Sequence, residues 1–479
     1  MLLIITGCNK HDIMITVELL DQPEVNSLVY SVPILGTNFL GFVDTLKQNE
    51  TGKFELNLKI TQPSFITIWD EDYTNRVKIL VEPGNSYHVV MDTLENVQIT
   101  GANAKGQMLY ATFPDPNYIE VELRKIGINH LNPNDTVSLM YVHDKISELK
   151  HSEISKFKEL LDNREISKSY FDLILKDRDC YYASFETRFS IIKANQKIED
   201  NLLEKLKQIY DQYPPHDESL LFSSFWREYV EQFIIGYKQY FQKDFSYQKI
   251  QNLRKDGTYY TYIIEESKKI LNGKALEFFQ AIHINKGCGS FEKGLISLFE
   301  QFEKDYPKSE YSKYLKPGID NLIYYYQVIV KPFDPAIRLM DNYETINTLE
   351  EAIQPLQGKK IYVDVWGTWC GPCRAEFIHS KALKKILEEH DIQQLYISIG
   401  DNDDQKWRNY IKYYHLTGTH IRGNQELFID LEKKYSKNLS HSYIAIPWYI
   451  LIDEKGNILE EYAKSPSELV SGEKLFAND

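Results

Sequence analysis

Between Ile13 and about Thr100 the chain alternates apolar and polar positions in short runs: MITVELL, KFELNLKI, FITIWDED, VKILVEPGNSYHVVMD and VQITG. Alternation over this length marks half-buried strands, and Pro83-Gly84-Asn85 is a turn signal between two of them. Strands spaced this closely predict an antiparallel β-sandwich over residues 9–102. Its carboxylates are scattered over what should be solvated strand faces, so no active site is expected there.

From about Asn103 the period changes. Ile154, Phe157 and Leu161, then Ile166, Tyr170 and Ile174, recur at helical spacing, which predicts an α-helical middle domain over 103–335. Pro214-Pro215 and Lys316-Pro317-Gly318 punctuate it, and Tyr181-Tyr182, Tyr259-Tyr260 and Tyr324-Tyr325-Tyr326 read as helix-packing residues rather than the lining of a peptide groove. From Ala336 onward strands and helices alternate. KKIYVDVWG precedes a helix from Pro372 to Glu389, QLYISIG precedes helices from Lys406 to Tyr414 and from Gln425 to Tyr435, and PWYILID and NILEEY precede a last short helix. That order predicts an α/β layer fold over 336–479, with Asp453 to Asn457 as the turn of a terminal hairpin.

A chain of 479 residues is longer than one hydrophobic core usually serves, so the expected architecture is multidomain. Apolar residues at 43%, with 34 Tyr and 23 Phe, place it among folded proteins. With 55 Lys plus Arg against 69 Asp plus Glu, the charge of -14 disfavours nucleic acid and anionic lipid surfaces as partners. The longest apolar run, Tyr443 to Ile452, falls short of the roughly 18 residues of a membrane span. Five cysteines, Cys8, Cys180, Cys288, Cys370 and Cys373, are too few and too scattered for a disulfide framework. Cys180 and Cys288 read as small buried core residues, with a bond between them left open.

Chemistry concentrates in WGTWCGPCR, Trp366 to Arg374. The strand Ile361 to Val365 delivers Cys370 to the first turn of a helix, where free N–H groups and the helix dipole favour a thiolate. Cys370 is therefore the candidate nucleophile in disulfide exchange, and Cys373, three residues on, the candidate resolving thiol. Pro372 fits the first turn, where its missing N–H is not needed. Asp364 interrupts the apolar run YVDVW; flanked like a central strand rather than a sheet edge, it should be desolvated, its pKa raised, and suited to take and return the Cys373 proton. Trp366 and Trp369 either screen the site and face substrate or simply pack. Ile446-Pro447, opening the strand WYILID, suggests a cis peptide bond that turns the Ile446 backbone towards Cys370, where an extended substrate would pair. Zinc held by Cys370, Cys373 and His379 lacks a fourth ligand, so no metal or cofactor is expected.

DVWGTWCGPCR followed by IPWYILIDEKGNI resembles the thioredoxin superfamily, in its TlpA/ResA branch, over 336–479. The resemblance implies a thioredoxin fold and a thiol-disulfide oxidoreductase, with Cys370 as nucleophile, Cys373 resolving, Asp364 as the buried acid and Pro447 as the cis-proline. GKFELNLKI, VEPGN and VQITG resemble the accessory region of large thioredoxin-like lipoproteins of Gram-negative bacteria. The start, MLLIITGCNK, resembles a lipoprotein cleavage box ending at Cys8; residues 1–8 would then be a shortened signal, with lipidated Cys8 anchoring the chain to a membrane of the cell envelope. Gly371-Pro372 resembles the dipeptide of reducing thioredoxins, near about -270 mV. The expected substrates are cysteine-containing envelope proteins, with a membrane-bound thiol reductant resupplying electrons. The competing expectation is an envelope scaffold that uses the thioredoxin-like part only as a surface.

Overall fold

The structure, a computed structural model, describes residues 11–37, 42–70, 75–92, 96–113, 139–194, 202–236, 246–435 and 444–472, together with Val121, Arg124 and Leu475. Cys8 and the rest of the expected signal lie outside them. The chain divides into two compact units, Met1–Leu322 and Ile323–Asp479.

In the first unit, eight strands form two four-stranded sheets: β1 (Asp12–Leu19), β2 (Ser27–Ser31), β3 (Val43–Lys47), β4 (Phe54–Lys59), β5 (Ser64–Trp69), β6 (Arg76–Val81), β7 (Ser86–Met91) and β8 (Val97–Gly101). Their orders are β4-β1-β7-β8 and β3-β2-β5-β6. Alternation decides which side chains turn inward, and Ile15, Phe54 and Val89 of one sheet join Leu28, Ile68 and Ile79 of the other in one buried cluster. Each contributes about 1.5–3 kcal/mol by leaving water. The expectation of a wholly antiparallel arrangement needs correction at one ladder, because β1 and β7 run parallel from Met14↔Ser86 to Leu19↔Met91. Alternation specifies a strand's faces and not its direction, and the long connection between these two strands permits a parallel crossover.

The second sheet is apolar on both sides. Phe65 of β5 and Leu80 of β6 point away from the sheet-to-sheet cluster and pack with Tyr110, Phe113, Phe157, Tyr170 and Ile174 from the helices Ala104–Ala111, Leu139–Asp162 and Lys168–Ala194. Strands and helices thus share a core and fall in the same compact unit, with no division at the expected 102/103 boundary. Pro214-Pro215 does separate the helices Leu202–Gln212 and Trp226–Gly236. Pro317, by contrast, is accommodated near the start of the helix Ser312–Ile329 and does not end it. Cys180 and Cys288 are free, buried thiols.

The second unit is built on a six-stranded sheet, in the order β14-β13-β10-β11-β12-β9. Its strands are β9 (Ile337–Leu339), β10 (Lys360–Trp366), β11 (Ile392–Ser398), β12 (Gly418–Arg422), β13 (Trp448–Ile452) and β14 (Ile458–Glu460). β10, β11, β12 and β9 are parallel, while β13 and β14 add antiparallel. Ile361, Val363 and Val365 of β10 face one core with Leu395, Ile450 and Leu427. Tyr362 faces the other, with Leu383, Leu387, Tyr449 and Leu469. The helix expected from Pro372 to Glu389 is interrupted: Gly371–Glu376 leads through a tighter turn, Phe377–His379, into Ser380–Glu389. Among the described residues, no helix is long and apolar enough to cross a membrane.

Candidate active site

β10 is the third strand from one edge of its sheet, paired on both sides, and its C-terminal end leads directly to the cysteine pair. Cys370 is the N-cap of the helix Gly371–Glu376, and its Sγ accepts a hydrogen bond from the Cys373 N–H at 3.1 Å. This is the placement in which a helix start favours a negative sulfur. Cys370 and Cys373 are joined in a disulfide, and both are buried. The Ile446–Pro447 peptide bond is cis, and the Ile446 carbonyl oxygen lies 3.6 Å from Cys370 Sγ.

The two tryptophans separate in role. Trp366 is fully buried and packs edge-on against Phe377, with ring centroids 5.2 Å apart. Trp369 is 57% exposed and donates its indole N–H to the Ile399 carbonyl at 3.1 Å, which lays the ring along the mouth of the site. Gly367 permits that approach, since a Cβ there would stand 2.7 Å from Trp369 Nε1. Ile378, on the turn after the cysteine-bearing helix, is also exposed.

On the strand that leads to the disulfide, Asp364 is buried on the face of β10 that carries Tyr362, and its Oδ1 has no hydrogen-bond partner. Burial pushes its pKa well above the usual carboxylate range, and the nearby Glu376 charge pushes it further in the same direction. Burial therefore favours the protonated form of Asp364.

Sequence reasoning missed two acids that the fold places here. Glu376 stands on the cysteine-bearing helix, where its carboxylate accepts hydrogen bonds from Ser467 N–H and Oγ, both at 2.9 Å. Its position one helical turn after Cys373 was the available signal. Asp401, buried at the end of β11, accepts from Thr368 N–H at 3.0 Å, from Thr368 Oγ1 at 2.5 Å and from Ser398 Oγ. It ties the Gly367–Trp369 loop to the sheet. Nothing in sequence spacing relates 368 to 401; only the parallel pairing of β10 and β11 does.

Comparison with known proteins agrees with this geometry. A family model described as Redoxin matches residues 332–473. The chain is 24% identical over 136 residues to the thioredoxin-like protein YneN of Bacillus subtilis (strain 168), covering 28% of this chain and 72% of that protein. It is likewise 24% identical over 109 residues to the thiol-disulfide oxidoreductase ResA of Bacillus thuringiensis subsp. konkukian, covering 23% of this chain and 57% of that one. A solved thiol:disulfide interchange protein from Bacteroides sp. is 18% identical, with a TM-score of 0.22 over 26% of this chain and 78% of its own. The redoxin match spans the six-stranded sheet and its cysteine pair: the C-terminal region is a thioredoxin-like domain, and the chain is a TlpA/ResA-like member of the thioredoxin superfamily.

Proposed function

We propose that the protein is a thiol-disulfide oxidoreductase that reduces disulfides of other proteins. The observation that carries this reading is the juxtaposition of a helix-capping Cys370, bonded to Cys373, with an unpartnered buried acid, Asp364, on the strand behind it. In the reduced protein, the Cys370 thiolate attacks one sulfur of a substrate disulfide and forms a mixed disulfide, releasing the first substrate thiolate. Once Asp364 has given up its own proton, Cys373 passes its proton to that carboxylate and attacks Cys370 Sγ, which expels the second substrate thiolate and leaves the Cys370–Cys373 bond seen here. Two electrons leave the protein and the substrate becomes a dithiol. Trp369, Ile446 and Pro447 form the substrate-facing surface, with an extended cysteine-bearing segment lying against the Ile446 backbone.

We place the redox chemistry in the C-terminal domain, 336–479 as read from the motifs, and the protein in the cell envelope, held by a lipid on Cys8 and re-reduced by a membrane-bound thiol donor. Its substrates are then cysteine-containing envelope proteins. Insulin reduction in the presence of dithiothreitol tests the activity: Cys370→Ser abolishes it, and Cys373→Ser accumulates mixed disulfides on Cys370 that identify the partners. A native protein that does not accelerate insulin reduction rules the reading out, and a potential above about -150 mV rules out the reducing direction. Mass of the envelope-extracted protein, with and without Cys8→Ser, tests the lipid.

A further inference from the structure

Asp364 cannot exchange its proton with solvent directly, since it is 2% exposed. Register shows what adjoins it. Across four adjacent strands, one row of side chains on the same face of the sheet reads Tyr449 on β13, Asp364 on β10, Tyr396 on β11 and His420 on β12. All four are buried, and three of them, Tyr449 Oη, Asp364 Oδ1 and His420 Nδ1, lack a hydrogen-bond partner. Polar atoms left unpaired in a native interior call for a functional account, and here three of them share one row, with Tyr396 standing between Asp364 and His420.

Of the two tyrosines beside Asp364, one reaches solvent by a second route. Tyr396 lines a cavity of about 240 Å³ on the face that carries the helix Ser380–Glu389, with Ser380, Lys384, Gln394, Thr417 and Gly418 on its walls. Trp369 is not among its lining residues. His420 stacks on the Tyr396 ring, with centroids 4.8 Å apart and planes 4° from parallel. His420 Nε2 lies 2.7 Å from the Leu416 carbonyl, so it carries the hydrogen and donates. Burial drives the histidine pKa down to about 3, and the ring stays neutral. A neutral stacked ring holds the phenol in place without adding a competing charge.

We infer that Tyr396 is the proton conduit between Asp364 and solvent, passing protons through its hydroxyl to water in the Ser380–Thr417 cavity while substrate covers the Trp369 mouth. The inference rests on the proposed oxidoreductase reading for its purpose, and on register, burial and the cavity for its location. Asp364 and Tyr396 share no hydrogen bond, so the step balances as a relay through one water between them: protonated Asp364 gives its proton to that water, which passes one to the phenol oxygen as the phenol gives its own to cavity water, and no electrons move. Tyr396 is fitted to this because burial and the Asp364 charge hold its pKa well above the ordinary phenol value, so it remains a hydroxyl that both accepts and donates. The other groups that face Asp364 are Tyr362 from its own strand, Tyr449 from β13 and Glu376 from the cysteine-bearing helix. Tyr362 is committed, donating to the Lys464 carbonyl at 2.6 Å.

The test is the rate at which the Asp364 carboxyl exchanges with D₂O, followed in the full chain through its infrared C=O band, assigned by its loss in Asp364→Asn. Tyr396→Phe keeps the ring and its stack on His420 and removes only the hydroxyl; exchange should slow at least about tenfold, and imidazole small enough to enter the cavity should restore it. Ser380→Trp, which plugs the cavity from its rim and leaves Tyr396 intact, should slow exchange to a similar degree. Unchanged exchange in both variants overturns the inference, as does slowing in Tyr449→Phe in place of Tyr396→Phe. Because exchange is read without turnover, a native protein inactive on insulin would count against the proposed function and leave this result standing on its own. If insulin is reduced, the resolving step in Tyr396→Phe should also lose its dependence on pH near the Asp364 transition, which a merely structural tyrosine would not affect.

Discussion

A carboxyl at position 364 stabilises the fold only while it holds its proton. Its folded pKa lies above the unfolded value near about 4, so over the interval between them the native state binds the extra proton and stability falls as pH rises. The native contribution is intact below that interval and is lost as pH climbs through the raised value. Asp364→Asn should therefore raise stability at pH 8 by about 1–3 kcal/mol, the usual cost of burying an uncompensated polar group, and make no difference at pH 4. Urea unfolding of the oxidised protein at both pH values checks this; equal effects at the two would show that the carboxyl is not titrating. Glu376→Gln removes the charge that adds to the burial effect, so the Asp364 transition should move to lower pH while remaining above the ordinary carboxylate range. The midpoint of its infrared band against pH reads that shift directly.

At the level of strands and helices, the site depends on the loops between β10, β11 and β12 holding their places. Asp401 gathers one N–H and two hydroxyls at the end of β11; Asp401→Ala leaves Thr368 and Ser398 unpaired in a buried position and should cost about 1–3 kcal/mol in thermal or urea unfolding, with slower insulin reduction because Trp369 loses its seat. Gly418 opens β12 at φ +140, and a Cβ there would meet the Gln394 carbonyl oxygen at 2.9 Å, so Gly418→Ala should lower the Tm and loosen the β11–β12 ladder. What the sequence made legible follows the same lines. β10, β11 and β13 were readable because buried apolar runs such as KIYVDVW and WYILI declare themselves, and the cysteine pair, Asp364 and Ile446–Pro447 were readable because each breaks its local pattern. β12, with Gly418, His420 and Arg422 in five residues, carries no apolar run, and β9 is three residues long; neither offers a periodic signal. The row from Tyr449 to His420 was invisible for a different reason, since register between strands is written in no single segment.

Across the chain as a whole, the division of labour differs from the boundaries that composition suggests. β6 is an edge strand, and its Leu80 N–H and C=O are both engaged by the Gln107 side chain of the first helix, at 3.1 and 2.6 Å. A helix thus closes a sheet edge that would otherwise invite pairing with another chain. A fragment of residues 11–102 should aggregate, with Phe65 and Leu80 uncovered, whereas residues 11–322 should be soluble and cooperative in unfolding; Gln107→Leu in the full chain should cost about 2–3 kcal/mol. In the second unit, Tyr325 packs edge-on against Tyr413 and Lys412 Nζ donates to the Ile329 and Lys331 carbonyls, so a fragment beginning at residue 323 should keep insulin-reducing activity at a higher Tm than one beginning at 336.

The two remaining described cysteines are buried, unbonded thiols. Burial drives the Cys180 thiol well up and the Cys288 thiol up to about 12, which keeps both as inert thiols at neutral pH. With Cys8 replaced by serine, the reduced native chain should take up two alkyl groups from iodoacetamide and the unfolded chain four. Among the described residues the pair then has no further reactive thiol with which to exchange, so on the proposed reading the reducing equivalents it accepts leave for another molecule.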